Sequence, residues 1–415
     1  MTSASDVPSR LGILDRMGAF CVLSMPVVAL TNLLSLTQFA QLNVRPTDLL
    51  FLGACILWGL RLAWTMRLDK DLMTYLFTFA GLVFVTFLGI LLLDNGVGWP
   101  RYLRFLQTMS WGALSFTFIR TQKQFDKFTN VVIFVSAFVG SISIGLYLIN
   151  PSLHRIAGYF SFAGGEGLEG QASYNEWGAL YALSLTILLW RLYQRGLSRV
   201  DWVPLAVLVA GLLLVQSRSA FLALAAVITI VGLLYAKRFY LSGLDRASAT
   251  AILGLAFPIA FAVIASGGLA INRLAESFVS GSGAQISMEA RFDVWEASLD
   301  LWNAGVLRFL LGYGGQSFAN LIDSPTADSF YLDHGLSQGF LGLVFILALV
   351  ITPAMKLRLD PRTALAALVV TVALTVSLTG NVLADPTYGG VTFALLYGLL
   401  SLHDRRHPHL LPARR

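Results

Sequence analysis

The chain has 415 residues, of which 56% are hydrophobic and only 13% are charged, and its mean hydropathy is +0.71. Soluble domains carry about 25% charged residues, so this composition excludes a soluble globular protein and indicates an integral membrane protein. The formal net charge of +6 follows the membrane topology described below, so we expect no nucleic-acid partner.

Apolar residues occur in long blocks that are separated by short charged segments. Blocks of about 17 to 24 residues have the length that crosses the hydrocarbon core of a bilayer. The sequence therefore predicts an all-α integral membrane protein. About twelve blocks meet this length, at approximately 17–36, 46–64, 72–93, 102–119, 129–149, 172–190, 201–216, 219–236, 248–271, 330–353, 363–379 and 387–402.

Lysine and arginine are concentrated at both termini and in every second loop, such as the loop of Lys356 and Arg358. The positive-inside rule places these segments in the cytoplasm, and an even number of spans agrees with two cytoplasmic termini. The basic residues that remain on the outer side are all arginines: Arg45, Arg101, Arg104, Arg155, Arg218, Arg273, Arg291 and Arg308.

Arg218 lies between Ser217 and Ser219, in a very short turn between the seventh and eighth predicted spans. The topology puts this turn at the outer boundary and not at the midplane, where a charge is costly. A guanidinium group offers a rigid fork of donors that matches phosphate and carboxylate oxygens. The alternative is an arginine that only extends to lipid headgroups.

One outer loop, at about 272–329, is far longer than the others, and long loops in compact proteins usually have a function. We divide the chain into residues 1–271, the loop 272–329 and residues 330–415, which together form one functional unit. Within the loop, the spacing of Phe292, Trp295, Leu299 and Trp302 predicts an amphipathic helix that lies over the outer face of the bundle. Its first turn contains Arg291.

Two further features follow this helix. A glycine-rich turn at Gly312, Gly314 and Gly315 either exposes backbone N–H groups to an anion or is a tight return to the membrane. Asp328, Asp333 and His334 come next, at the outer end of a span, where ionisable residues are often functional. An interfacial histidine bonded to a backbone carbonyl is the alternative for His334.

The order of these short motifs resembles that of the O-antigen ligase and O-antigen polymerase superfamily. The resemblance covers residues of about 170 to 350. It consists of the turn at Gln216–Ser219, the R-x-x-x-W helix from Arg291 to Trp295, the G-x-G turn from Gly312 to Gly314, and the G-x-x-G-L segment at Gly339–Leu343.

This resemblance implies a metal-independent glycosyltransferase of the GT-C type in the bacterial inner membrane, with no cofactor. Its donor would be a glycan on undecaprenyl diphosphate, presented with the acceptor at the periplasmic face, and Arg218 and Arg291 would bind the diphosphate. Fixed guanidinium groups can stabilise a diphosphate leaving group without a metal, and the five histidines and two cysteines are scattered without metal-ligand spacing. A chain-length regulator and a flippase are the expected partner proteins, and the bilayer is the expected environment.

Asp328 and Ser329 occupy the positions at which ligases of this superfamily usually have histidine and asparagine. An aspartate there is more similar to the polymerase branch, so we predict a polymerase in which Asp328 deprotonates the acceptor hydroxyl. His334 is a second candidate for this catalytic site, as a neighbour of Asp328. Weaker candidates for substrate contact are Ser217, Ser219, Arg101, Arg104, Arg155, Arg273 and Arg308.

Two alternatives differ in acceptor or in class. A ligase would transfer the glycan to a lipid A core or to a protein. A transporter or flippase of lipid-linked sugars would require charged residues inside the spans, and broken helices at matching places in two repeats, which the sequence does not show.

Overall fold

The computed structural model describes residues 7–29, 37–39, 42–65, 68–93, 99–149, 174–215, 217–242, 283–314, 321, 329–357, 363–378, 380–385 and 388–404. Nearly all of these residues are helical. The described helices are α1 (Val7–Ala29), α2 (Pro46–Thr65), α3 (Lys70–Leu93), α4 (Trp99–Phe118), α5 (Gln122–Ile149), α6 (Tyr174–Arg195), α7 (Trp202–Val215), α8 (Arg218–Ser242), α9 (Gly283–Trp302), α10 (Val306–Leu311), α11 (Phe330–Lys356), α12 (Thr363–Val376) and α13 (Tyr388–Asp404).

Two short strands and two 3-10 turns are the other elements among the described residues. Strands β1 (Thr37–Phe39) and β2 (Leu42–Val44) form an antiparallel hairpin in which Thr37 pairs with Val44. Single 3-10 turns cover Arg199–Asp201 and Val382–Ala384. These elements lie between helices and do not extend the helical core.

The helices agree with the predicted spans. Each predicted span except 248–271 overlaps a helix, and 248–271 lies outside the described residues. Among the described residues, 6 helices are long and apolar enough to cross a membrane, and α12 and α13 are shorter apolar helices. The prediction of a multi-pass helical membrane protein is therefore confirmed, whereas the count of twelve spans stays a prediction.

Two helices occupy the centre of the bundle. Residues 177–190 of α6 and 388–402 of α13 are buried at every position, whereas α2 and α3 expose large apolar side chains such as Leu52, Phe77 and Phe84. An apolar surface of this size is unfavourable in water but is the normal outer surface of a helix in lipid. The burial pattern thus separates central helices from lipid-facing ones.

Ion pairs connect several helices at one end of the bundle. Asp15 of α1 pairs with Arg61 of α2 at 2.9 Å and with Arg120, which follows α4, at 2.6 Å. Lys356 at the end of α11 pairs with Asp71 at the start of α3. Partly exposed pairs of this kind stabilise little, but they show that residues assigned to one side of the membrane by the sequence do lie at the same end.

Helix α11 is broken at Gly339, whose φ of 70° and ψ of −178° belong to a region that glycine alone adopts readily. Helix α10 and the turn after it pack against this break, and the Tyr313 N–H donates to the Leu336 carbonyl at 2.7 Å. A Cβ atom on Gly339 would lie 2.3 Å from the Leu310 oxygen. Gly339 of the G-x-x-G-L segment and Gly312 of the turn therefore permit a backbone-to-backbone contact.

This contact bears on the two interpretations of the glycine-rich turn, of which Gly312 and Gly314 are described. A Cβ atom on Gly312, where φ is 69°, would lie 2.4 Å from the Gly339 nitrogen. On the other side, the Leu311 carbonyl lies close to Gly89 of α3. The turn is enclosed between α3 and α11, which favours the tight return to the membrane over an anion-binding loop.

Candidate functional site

Arg218 is the first residue of α8, and two buried serines flank it. The Phe221 N–H donates to the Ser217 carbonyl at 3.1 Å, so Ser217 is the N-cap residue of the helix. The Ser217 and Ser219 hydroxyls lie 3.3 Å apart, and Ser217 contacts Gly178 of α6 so closely that a Cβ atom there would lie 2.5 Å from the Ser217 Cβ. The backbone that carries Arg218 is thereby fixed.

The chemistry of this helix end favours an anion. The first N–H groups of a helix have no partner within the helix, and the helix dipole adds partial positive charge at this end. The half-buried Arg218 adds a full charge at the same place. Ser217 and Ser219 are fully buried against α6, which favours a role in holding the turn over direct substrate contact.

Arg291 lies on α9, so the predicted helix is present, but α9 begins at Gly283 and Arg291 is in its third turn and not in its first. The predicted contact face is also different. Val294, Leu301 and Trp302 pack towards Tyr313 and Leu336, and Ser298 is fully buried. Phe292 and Leu299, which belong to the predicted apolar face, are 51% and 44% exposed. The helix therefore packs against the bundle through a neighbouring face, whose edge carries the half-buried Arg291.

The C-terminal end of α9 is locked to α11. A Cβ atom on Gly335 would lie 2.6 Å from the Trp302 ring, and the Trp302 indole N–H donates to the Phe309 carbonyl at 2.9 Å. Trp302 also stacks on Phe309, with ring centroids 5.6 Å apart. Because α9 and α10 share this anchor, the position of Arg291 depends on the packing around Gly335.

Asp333 and His334 lie in the first turns of α11 and are buried. Asp333 is only 4% exposed, and the side-chain amide of Asn381 donates to its carboxylate. The His334 ring lies between Phe105 of α4 and Phe330, with centroid distances of 4.2 and 4.3 Å. Asn381 is a residue that the sequence analysis missed. The feature of the sequence that could have identified Asn381 is its position as a polar residue between two apolar spans.

The segment that follows α12 completes this corner of the bundle. The Phe330 N–H donates to the Ser377 carbonyl at 3.0 Å, and the Tyr331 hydroxyl donates to the Leu374 carbonyl at 2.8 Å. The start of α11 is thus attached to the end of α12, and α12 in turn packs against α8. Through α12, the helix that begins at Arg218 and the helix that begins at Phe330 belong to one packed unit.

A second polar group joins the ends of α2 and α4 to the residues before α13. The Gln107 amide donates to Asp48 at 3.0 Å, and Asp48 also accepts from the Arg45 N–H at 2.8 Å. Arg104 interacts electrostatically with Arg45, Asp48 and Asp385. Two arginines and two aspartates meet here, which indicates that these residues connect the helices. Substrate contact by Arg104 stays a prediction.

Two other predicted arginines are partly described. Arg308 of α10 is exposed, and its guanidinium lies over the Tyr313 ring at 5.1 Å from the centroid. This contact gives Arg308 a packing partner on the turn that it precedes. Arg101 lies in the first turn of α4, and only its backbone is described.

Three predicted site residues lie outside the described part of the chain: Asp328, Arg155 and Arg273. Ser329, the residue after Asp328, is described and buried. Within the described ranges, no group of three His, Cys, Asp or Glu side chains is arranged to hold a metal ion. Metal independence stays a prediction from the resemblance.

The middle of the chain is similar to a known protein family. Residues 203–347 match a family model described as O-antigen ligase. A search of curated proteins finds no match. The family match confirms the predicted resemblance to the O-antigen ligase and polymerase superfamily. It supports an enzyme in general.

Proposed function

We propose that this membrane protein, whose residues 203–347 match the O-antigen ligase family, is a polysaccharide polymerase. It transfers a growing glycan from undecaprenyl diphosphate to a lipid-linked repeat unit at the periplasmic face of the bacterial inner membrane. The family match carries this proposal, because the matched segment includes Arg218, Arg291 and Asp328, the residues to which the reaction is assigned.

Arg218 and Arg291 bind the diphosphate of the donor. As the bond between the anomeric carbon and the diphosphate oxygen breaks, negative charge develops on the leaving group. A guanidinium fork that is already oriented stabilises that charge without reorganisation. The fixed N-terminus of α8 supports this role, because its N–H groups and dipole act in the same direction as Arg218.

Asp328 activates the acceptor. Its carboxylate takes the proton of the acceptor sugar hydroxyl while the hydroxyl oxygen forms the new bond to the anomeric carbon. The products are an extended lipid-linked glycan, a protonated carboxyl group and free undecaprenyl diphosphate.

A ligase is the second candidate. The matched family model is described as O-antigen ligase, and a ligase differs from a polymerase mainly in its acceptor, a lipid A core or a protein. The aspartate at position 328, where ligases usually have histidine, is the observation that favours the polymerase.

The test of the diphosphate site uses Arg218→Ala, Arg218→Lys, Arg291→Ala and Arg291→Lys in cells that lack the native gene. Loss of one such donor costs about 10²- to 10³-fold in rate in other enzymes. Lysine keeps the charge but loses the bidentate geometry, so we expect all four variants to lose surface polysaccharide. Arg199→Ala is the matched control, because Arg199 is exposed beside the ion-paired end of the bundle. Normal chain length and amount in the alanine variants would refute the diphosphate assignment.

The intermediate that accumulates distinguishes the two candidate functions. A lost polymerase leaves single repeat units on the lipid carrier, whereas a lost ligase leaves full-length chains that are attached to the lipid carrier. We expect single repeat units in extracts of the Arg218→Ala strain. Full-length lipid-linked chains would instead establish the ligase.

A further inference from the structure

Around its axis, the part of α9 whose side chains are described, from Glu289 onwards, presents three different surfaces. The first surface carries the acidic side chains, all of which are exposed: Glu289, Asp293, Glu296 and Asp300. Val294, Ser298 and Leu301 face the bundle. The exposed Phe292 and Leu299 form a third surface together with Trp295, whose ring lies 5.6 Å from that of Phe292.

These surfaces are separate sectors of the helix. At about 100° per residue, the acidic residues occupy one sector, and the bundle-facing residues are centred about 140° away from it. A third sector lies between the acidic side and the other edge of the bundle-facing side. It contains Phe292, Trp295 and Leu299. A helix with only two environments, protein and water, has no reason to expose an aromatic and aliphatic sector of this kind.

The exposed apolar sector continues onto surfaces that face lipid. Helix α10 follows α9 and exposes Val306 and Leu307, of which Val306 is 76% exposed. Phe309 of α10 stacks on Phe340 of α11, at 5.5 Å between centroids, and Phe340 itself is exposed on a predicted span. The apolar surface of α9 and α10 is therefore continuous with that of a membrane-spanning helix.

We propose that α9 lies along the membrane–water interface, with Phe292, Trp295 and Leu299 among the acyl chains of the bilayer and the acidic sector in water. Side chains of this type bind the headgroup–acyl boundary, with the polar face towards water. The proposal depends on burial and position and not on the reaction assigned above. It defines a lipid-contacting surface for a segment that lies between two spans.

The orientation has a consequence for Arg291. This residue falls between the bundle-facing sector and the lipid-facing sector, at about 20° from Ser298 and about 40° from Trp295. It also lies about 170° around the helix from the centre of the acidic sector, so it is on the side of α9 that faces away from water.

The test measures the environment of single positions on α9 in the full-length protein in lipid nanodiscs. Cys21 and Cys55 are first replaced by alanine, and a spin label is then attached to a cysteine at position 292, 299, 293 or 300. Oxygen concentrates in the bilayer, and a nickel chelate stays in water. We expect oxygen to relax labels 292 and 299 more than the nickel chelate does. Labels at the matched control positions 293 and 300 should be relaxed more by the nickel chelate than by oxygen.

Either of two results would overturn the proposal. Equal access of the nickel chelate to all four positions would show that the apolar sector faces water. Low access of both reagents to 292 and 299 would show that protein, such as a second copy of the chain, covers this sector. Glycan transfer by each labelled protein is measured in parallel, so that loss of the fold is recognised separately.

Discussion

At the scale of single residues, the pair of Asp333 and Asn381 shows how the start of α11 is held. A buried carboxylate is costly unless it accepts hydrogen bonds, and the Asn381 amide supplies one from a segment that lies 48 residues away in the chain. The two residues join the helix next to Asp328 to the turn between α12 and α13. We therefore treat them as positioning residues for the proposed acceptor site.

Exchange of the two side chains tests this pair. Asn381→Asp places two carboxylates together and should lower stability by about 1.5–3 kcal/mol, the range for hydrogen bonds to charged groups. Addition of Asp333→Asn to that variant restores an amide–carboxylate pair and should recover most of the loss. The measurement is the thermal unfolding midpoint of the detergent-solubilised protein. Strictly additive effects of the two substitutions would show that the side chains do not interact.

The sequence singles out some candidate residues but not the partners of others, because those partners lie far away in the chain. Arg218 and Arg291 were identifiable because each lies in a local pattern, a polar turn between spans and an amphipathic helix. The link between Gln107 and Asp48 joins residues that are 59 positions apart, and nothing local to either residue indicates it. The pairing of Asn381 with Asp333 could likewise not be predicted, although the sequence shows that Asn381 lies between two spans.

At the scale of elements, the contact between α10 and the break in α11 fixes α10 and the following turn against α11. Sequence analysis recognised Gly339 as part of a short motif but did not predict a broken helix. The sequence does not show which φ angle a single glycine adopts. The sequence also does not show that the Leu310 carbonyl packs against Gly339. For α9, the sequence predicted the helix correctly and the contact face wrongly, and both outcomes have one cause. Periodicity shows which residues share a face but not whether lipid or protein covers it.

Alanine at position 339 tests the importance of this contact. The substitution adds a Cβ atom 2.3 Å from a carbonyl oxygen, at a backbone conformation that costs other residues about 1–3 kcal/mol. We expect a lower thermal midpoint and loss of transfer activity. Gly59→Ala on α2 is the control, because nothing lies within 4 Å of the added Cβ atom. Equal midpoints for the two variants would contradict the account of the break.

At the scale of the whole molecule, charge separates the two ends of the bundle. Ion pairs of Asp15 and Asp71 with basic residues lie at one end. The other end carries Arg218, the Asp333–Asn381 pair and the group around Asp48. Composition and charge distribution suffice to predict this polarity, because they depend on the membrane and not on detailed packing.

Labelling with a membrane-impermeant maleimide in intact cells, with the outer membrane made permeable, tests the topology. In the background without Cys21 and Cys55, a cysteine at position 300 should react from outside, because Asp300 is exposed on α9. A cysteine at position 199 should react only after the inner membrane is opened. The reverse pattern would place the predicted active site in the cytoplasm and refute the periplasmic assignment.

The central claim, that Arg218 and Arg291 hold a lipid diphosphate, is tested most directly by binding. The measurement is the Kd of a fluorescent short-chain polyprenyl diphosphate for the purified protein in nanodiscs. Loss of one charge-assisted contact of about 1.5–3 kcal/mol corresponds to roughly 10- to 150-fold weaker binding. We therefore predict such a loss for Arg218→Ala and for Arg291→Ala, and unchanged binding for Arg199→Ala. Unchanged affinity in both site variants would contradict the claim.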